Sequence, residues 1–319
     1  MSLFERIKRA HRAIRPQVSV TPLDRSRLLS NALGCEVLLK AEHLQPTGTF
    51  KIRGATNKLQ ALGEDVRRTG VITASTGNHG QAVARAGALA GVPVTVYVAV
   101  STAKLKMEAI KGLGADLVVV EGNPLEAELQ ARRRAAQEQR PYISPYNDLD
   151  VMAGQGTLGM ELIEQAPQLD AVFISVGGGG LIGGSGTAIK QLRAQTRVVG
   201  VWPENSPCLL KALEAGQIID VAESPTLSDS TAGAVEPGSV TFPVCQAVID
   251  QTVTVSESEI AAAMRSIAAT EHWMVEGAAG VALAGLTKVA DAYRGQKVAV
   301  VLCGRNIALE AFLEAIGRA

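Results

Sequence analysis

The sequence predicts an α/β protein built from two open, parallel-type lobes with a cleft between them. Three observations predict it. Short apolar runs rich in β-branched residues alternate with segments of helical period along nearly the whole chain, joined by short connections. This is the pattern of a parallel sheet covered on both faces. The 319 residues are 47% hydrophobic and 19% charged, enough to give two lobes sizeable cores. No internal repeat, low-complexity tract or flexible linker interrupts the alternation.

Taken in order, residues 3–14 carry charges at helical spacing and predict an amphipathic helix. Pro22 and Leu23 lead into a helix over 26–33, closed by Gly34, and a short strand over 35–40. A helix begins at Lys51 and runs toward Leu62. Then come strand 70–73, helix 81–89, buried strand 94–98, helix 103–113 stopped by Gly114, strand 117–120 and helix 125–139. The second half repeats the alternation. It has helix 158–165, strand 171–176, helix 181–194, strand 198–202 and helix 208–215. Residues 221–238, rich in Ser, Thr, Gly and Pro, predict a long loop near the site. Strand 252–255, helices 257–270 and 278–290, strand 297–302 and helix 307–316 complete the chain.

Charge and composition exclude several classes of function. Lys+Arg and Asp+Glu both number 31, so the formal charge is zero and nothing recommends a nucleic acid or a membrane surface as partner. Aromatic residues make up only 3% and do not interleave with basic ones as a base-stacking surface requires. Cys35, Cys208, Cys245 and Cys303 are far apart, without metal-ligand or redox spacing, which fits a reducing cytoplasm. Residues 1–15 lack an apolar signal core. The longest apolar stretch, 86–100, is broken by Gly91 and Pro93 and reads as a helix end, a turn and a strand, not a membrane span.

One stretch reads as an anion site. The apolar strand over 172–176 is followed by Gly177-Gly178-Gly179-Gly180, and Leu181-Ile182-Gly183 opens a helix. Bare backbone N–H groups and a helix N-terminus suit a phosphate. A tight structural turn is the plainer reading, but four glycines are costly in folding entropy for a turn alone. The same stretch also fits the dinucleotide pattern Gly178-x-Gly180-x-x-Gly183, with Glu204 about 20 residues further on. A nicotinamide-dependent oxidoreductase is therefore an alternative on these residues, though it leaves Lys51, Asn78 and Cys303 unexplained.

Five motifs in one order carry a resemblance. They are Thr49-Phe50-Lys51-Ile52-Arg53-Gly54-Ala55, Ser75-Thr76-Gly77-Asn78-His79-Gly80-Gln81, Gly154-Gln155-Gly156-Thr157, the loop over 177–181, and Cys303-Gly304-Arg305-Asn306. With them the chain, from about Thr21 to Gly317, resembles the fold-type II pyridoxal phosphate (PLP) enzymes of the threonine dehydratase and serine racemase family. The resemblance implies a tryptophan synthase β-like fold with PLP in the cleft. It implies a large PLP-binding domain over 1–63 and 148–319, and a small mobile domain over 64–147.

The resemblance also implies roles. Lys51 is the amine that holds PLP and acts as base, where an ordinary surface lysine is the plainer reading. Phe50 adjoins it. Asn78 bonds the cofactor's ring hydroxyl; a helix cap is its plainer role. Ser75, Thr76, Gly77 and His79 hold the substrate carboxylate. Gly177, Gly178, Gly179, Gly180 and Leu181 cradle the phosphate. Cys303 faces the pyridine nitrogen, against a small buried strand-end residue. Tyr146 stands beside the cofactor, against a core or interface tyrosine. Glu276 lies near the cofactor ring, against a helix N-terminal carboxylate.

The implied activity is β-elimination, a dehydratase or ammonia-lyase reaction. It would turn a 3-hydroxy amino acid of the threonine or serine type into a 2-keto acid and ammonia. Racemisation or β-replacement on the same fold is the first alternative, and a non-catalytic regulatory binding protein is a third class. Three positions depart from the family. Val201-Trp202-Pro203 stands where metal-activated members have a Glu before Pro, the later acidic ligand falls on or near Cys208, and Glu204 is displaced. No divalent cation site of the family type is expected. Thr76 replaces the serine with which the racemase protonates the opposite face, so its hydroxyl is a candidate catalytic group and racemisation is expected as a minor activity at most; its loop is similar to a branch that includes hydroxyectoine-utilisation and phenylserine dehydratases. Arg305 replaces a glycine and can reach an acidic or polar substrate tail, or turn to solvent or a partner subunit. The resemblance further implies a homodimer. The chain ends at Ala319 without the regulatory domain of some biosynthetic threonine dehydratases, so control by isoleucine is not expected.

Overall fold

Two separate sheets organise the chain in the computed structural model, which describes residues 1–75, 77–102 and 104–317. The strands are β1 Leu23–Arg25, β2 Glu36–Lys40, β3 Val71–Ala74, β4 Val94–Ala99, β5 Asp116–Val120, β6 Ala171–Ser175, β7 Arg197–Pro203, β8 Gln251–Val255 and β9 Lys297–Val301. The larger sheet has the order β1-β2-β9-β6-β7-β8 and the smaller the order β3-β4-β5. Every pairing is parallel except that of β1 with β2. All five residues of β6 are buried, as expected of a strand covered by helices on both faces.

The helices are α1 Leu3–Ile14, α2 Arg27–Leu33, α3 Lys51–Gln60, α4 Glu64–Thr69, α5 Asn78–Ala90, α6 Lys104–Gly112, α7 Pro124–Gln137, α8 Leu149–Gln165, α9 Gly180–Leu192, α10 Cys208–Ala215, α11 Thr241–Val248, α12 Glu257–Glu271, α13 Gly277–Lys288 and α14 Leu309–Gly317. Local chemistry explains many boundaries. The Ser26 side chain accepts from Leu29 N at the start of α2, and Gly34 ends that helix at φ 69°. Ser256 and Glu259 form a reciprocal capping box on α12. The predicted helix over 103–113 begins on Ala103, outside the described residues; α6 is described from Lys104.

Four elements differ from the sequence reading. The α8 helix starts at Leu149, nine positions before the expected 158, capped by Asp148, which accepts from Asp150 N and Val151 N. Its glycines are not a loop; they are where helices touch. A Cβ on Gly154 would stand 2.5 Å from Arg53 O, and one on Gly156 would stand 2.9 Å from Gly184 O. β1, α4 and α11 have no counterpart among the elements expected from the sequence. β1 is three residues long and α4 buries none of its six. α11 carries Pro243 in its first turn, where proline costs no helical hydrogen bond, and buries Thr241, Cys245 and Val248. Among the described residues, no helix is long and apolar enough to cross a membrane.

Candidate active site

Lys51 is the first residue of α3, and a short stretch of extended pairing fixes it there. Thr49 forms an antiparallel bridge with Gly304, and Phe50 N donates to Cys303 O at 3.1 Å. Because β9 lies between β2 and β6, the end of β9 delivers Cys303 to the same place. Lys51 Nζ donates to Pro145 O at 3.0 Å. Burial lowers its pKa to about 8, against the opposing pull of Cys303 and Glu276. The Cys303 thiol is pushed far up by burial and by the charge of Glu276. Ser175 Oγ, at the end of β6, donates to its sulfur at 3.6 Å. Cys303 is therefore a neutral thiol at physiological pH.

The glycine loop runs from β6 into α9, and two side chains and one backbone carbonyl mould it. A Cβ on Gly178 would stand 2.5 Å from the Tyr146 ring, one on Gly177 would stand 2.7 Å from Thr231 O, and one on Gly179 would stand 2.7 Å from Cys245 Sγ. Gly179 sits at φ 87°, a conformation that strains any side-chain-bearing residue. Among the described residues, no acceptor takes the N–H groups of residues 177–181. Consecutive unpaired donors at the N-terminus of a buried helix suit a phosphate dianion. Phe50, Lys51, Asn78, Tyr146, Glu276 and Cys303 enclose, with this loop, a cavity of about 150 Å³. A reactive amine, an anion cradle and a neutral thiol in one buried space fit PLP. The donor set offers the phosphate its hydrogen bonds and the aldehyde its nucleophile.

Asn78 and Glu276 meet across this cavity. Asn78 Nδ2 lies 2.9 and 3.0 Å from the two Glu276 oxygens, and Asn306 Nδ2 donates to Asn78 Oδ1 at 2.6 Å. Glu276 also accepts from Ser230 Oγ at 2.8 Å and Asn306 N at 3.2 Å. Burial raises its pKa, and these donors pull it back. The capping role for Asn78 is not used: Gly77 is the N-cap of α5, without a side-chain bond.

The cavity opens into a cleft of about 730 Å³. Ser75, Gly77, His79 and Arg305 are among the residues that line it. Ser75 Oγ accepts from Gly77 N at 3.2 Å, and Thr76 lies outside the described residues. The His79 ring is committed elsewhere. It is buried, its Nε2 stands 2.9 Å from Ile143 O, and burial and the nearby Lys51 lower its pKa to about 3, so it is neutral and donates to that carbonyl. The Tyr146 hydroxyl accepts from Glu236 N at 3.0 Å while its ring covers Gly178. Arg305 is exposed at the rim, its backbone N donating to Gly48 O at 2.9 Å. Ser175, Ser230 and Asn306 join the constellation beyond the residues expected from the sequence. Only Asn306, inside the Cys-Gly-Arg-Asn motif, left a signal in the sequence.

Comparison with known proteins agrees with this geometry. The model of the family "pyridoxal-phosphate dependent enzyme" matches residues 14–304. The L-threonine ammonia-lyase of Thermotoga maritima is 39% identical over 308 residues, covering 96% of this chain and 76% of that protein. Processed threonine deaminase isoform 2 of Solanum lycopersicum superposes with a TM-score of 0.96 at 31% identity, over 99% of this chain and 93% of that one. Maize serine racemase superposes with a TM-score of 0.92 at 28% identity, over 99% and 97%. The buried lysine, the glycine cradle and these likenesses lead to one statement: the chain belongs to the pyridoxal-phosphate-dependent enzyme family, and PLP is its cofactor.

Proposed function

We propose that this enzyme is an ammonia-lyase. It eliminates water from a 3-hydroxy amino acid of the threonine or serine type and releases a 2-keto acid and ammonia. The observation that carries this is the pairing of Lys51, an amine with its pKa lowered to about 8, with Cys303, a neutral thiol in the same cavity. The 39% identity to an L-threonine ammonia-lyase supports the substrate class.

When bound, PLP supplies a carbonyl for amines and an electron sink for the substrate's Cα. The N–H groups of residues 177–181 would hold its phosphate, and the Lys51 amine would hold its carbonyl carbon. Lys51, uncharged once displaced, removes the Cα proton of the substrate. Ser75 and Gly77 receive the substrate carboxylate, with Thr76 and the backbone at His79. Asn78 and Glu276 would border the ring, and Phe50 and Tyr146 would wall it. A thiol held neutral at Cys303 offers no anion to keep a proton on the ring nitrogen. With its ring nitrogen unprotonated, the bound cofactor would supply a weaker electron sink, suited to loss of the 3-hydroxyl as water rather than to transfer of the amino group. Arg305 stands where a substrate tail would emerge. Racemisation is the second reading; the similarity to maize serine racemase favours it.

The small sheet with α5, α6 and α7 supports a small domain over 64–147 that moves against a large one over 1–63 and 148–319. Four buried free cysteines support a cytoplasmic protein, and the family likeness supports a homodimer.

The test is 2-keto acid release from serine, threonine, 3-hydroxyaspartate, phenylserine and a hydroxyectoine-derived amino acid, each as separate stereoisomers. Strong release from one compound establishes the lyase and names its substrate. Silence across the panel from PLP-loaded protein overturns the elimination and leaves racemisation or β-replacement.

A further inference from the structure

The glycine loop has a second side, away from the cavity, and α11 occupies it. Thr241 and Cys245 stand one helical turn apart on that helix, and both are fully buried. Thr241 Oγ1 donates to Gly178 O at 2.7 Å, and Cys245 Sγ donates to Gly179 O at 3.4 Å. Ser239 Oγ lies 2.8 Å from Thr241 Oγ1 and so completes the hydroxyl's bonding. Burial pushes the Cys245 thiol up to about 12, which keeps its donor proton in place.

A trans peptide directs its C=O and its N–H to opposite sides. The carbonyl of Gly178 shares a peptide with the N–H of Gly179, and the carbonyl of Gly179 shares one with the N–H of Gly180. Tying both carbonyls to α11 therefore turns both N–H groups toward the cavity, where no acceptor among the described residues meets them. Gly179 O also accepts the first helical bond of α9, from Gly183 N at 2.8 Å, so Cys245 is a second tie there, whereas among the described residues Thr241 is the donor that holds Gly178 O and stops that glycine peptide from rotating.

We infer that Thr241 and Cys245 are positioning residues for the anion cradle: their side chains aim the Gly179 and Gly180 N–H groups and so set the affinity for the cofactor's phosphate. The inference rests on the proposed reading that this loop holds the phosphate.

The experiment uses the full-length protein stripped of PLP. It measures equilibrium binding of PLP and of pyridoxal, which has the same ring and aldehyde without the phosphate. The variants are Thr241→Val, which keeps the shape and removes the donor, Thr241→Ser, Cys245→Ala and Cys245→Ser. Thr241→Val weakens PLP binding by about three- to tenfold, the scale of one buried hydrogen bond, and leaves pyridoxal binding unchanged. Thr241→Ser and Cys245→Ser, which retain a donor, keep most of the PLP affinity, and Cys245→Ala loses part of it. Thermal unfolding of each stripped variant identifies any that fails to fold; Cys245→Ala then carries the test if Thr241→Val does not fold. Unchanged PLP affinity in both donor-less variants, or equal loss for PLP and pyridoxal, overturns the inference. A wild-type protein that binds PLP and pyridoxal equally well overturns the underlying phosphate reading instead.

Discussion

Asn78 Nδ2 lies within 3.0 Å of both carboxylate oxygens of Glu276, and this contact ties the start of α5, beside the small sheet, to the start of α13, beside the large one. Glu276 holds the centre, since Ser230 and the Asn306 backbone also donate to it. Glu276→Ala leaves buried donors without an acceptor. We expect it to lower stability by about 1–3 kcal/mol, read by urea unfolding of the PLP-free protein. An unchanged midpoint would show that the link carries no stability.

Lys51 makes pH a direct probe of its burial. Its folded pKa of about 8 lies below the ordinary 10.5. Between those values the unfolded chain binds more protons, so stability rises with pH there. The cost of burial is fully present below about pH 8, fades between there and 10.5, and is gone above it. Lys51→Met should stabilise the PLP-free protein at pH 7 by at most about 3 kcal/mol and give no gain above that window. Covalent attachment of PLP to the wild-type protein should speed up with rising pH and level off near pH 8. A rate still climbing at pH 10 would contradict the lowered pKa.

Arg53, two residues after Lys51, is wholly buried. It bonds Glu42 through Nε and Nη2 at 2.7 Å each, and Glu161 through both Nη atoms at 2.8 Å. Lys40 Nζ adds a bond to Glu161 at 2.7 Å. Removing the cation takes the paired charge from buried Glu42 and leaves buried Glu161 with Lys40 alone. Arg53→Ala should cost about 3–5 kcal/mol in chemical denaturation. A loss as small as that of a surface substitution would refute the network's importance beneath α3.

Gly178 and Tyr146 test the cradle from its front. Gly178→Ala drives a methyl into the Tyr146 ring. PLP affinity of the stripped protein should fall about tenfold, the scale of overpacking strain. Adding Tyr146→Ala should recover part of that loss; a double variant no better than the single would place the damage elsewhere.

Trp202 is fully buried in β7 where metal-activated members of the resembled family carry a carboxylate, and Glu204 stands 3.4 Å from Lys288 Nζ. Among the described residues, no group of three His, Cys, Asp or Glu is placed to hold a metal ion. Keto acid release should be the same with a chelator as with added Mg²⁺ or Ca²⁺. Strong chelator-sensitive activation would reveal a cation site.

Features encoded over a few neighbouring residues were legible in the sequence. The strand-helix alternation, the Gly177–Gly180 turn into α9, Lys51 at a helix start and the Ser26 and Gly34 caps all depend on local hydrogen bonds and local period. Tertiary structure decided what depends on partners far along the chain. The order β2-β9-β6 puts Cys303 beside Lys51 and Ser175 beside Cys303. Close helix packing lets Gly154 and Gly156 lie inside α8, although glycine locally disfavours a helix. The cross-lobe bond of Asn78, the turning of the His79 ring to Ile143 O and the backing of the glycine loop by α11 likewise have no local signature. A side chain's local pattern states what it can bond. Only the packed sheets decide which acceptor lies within 3 Å.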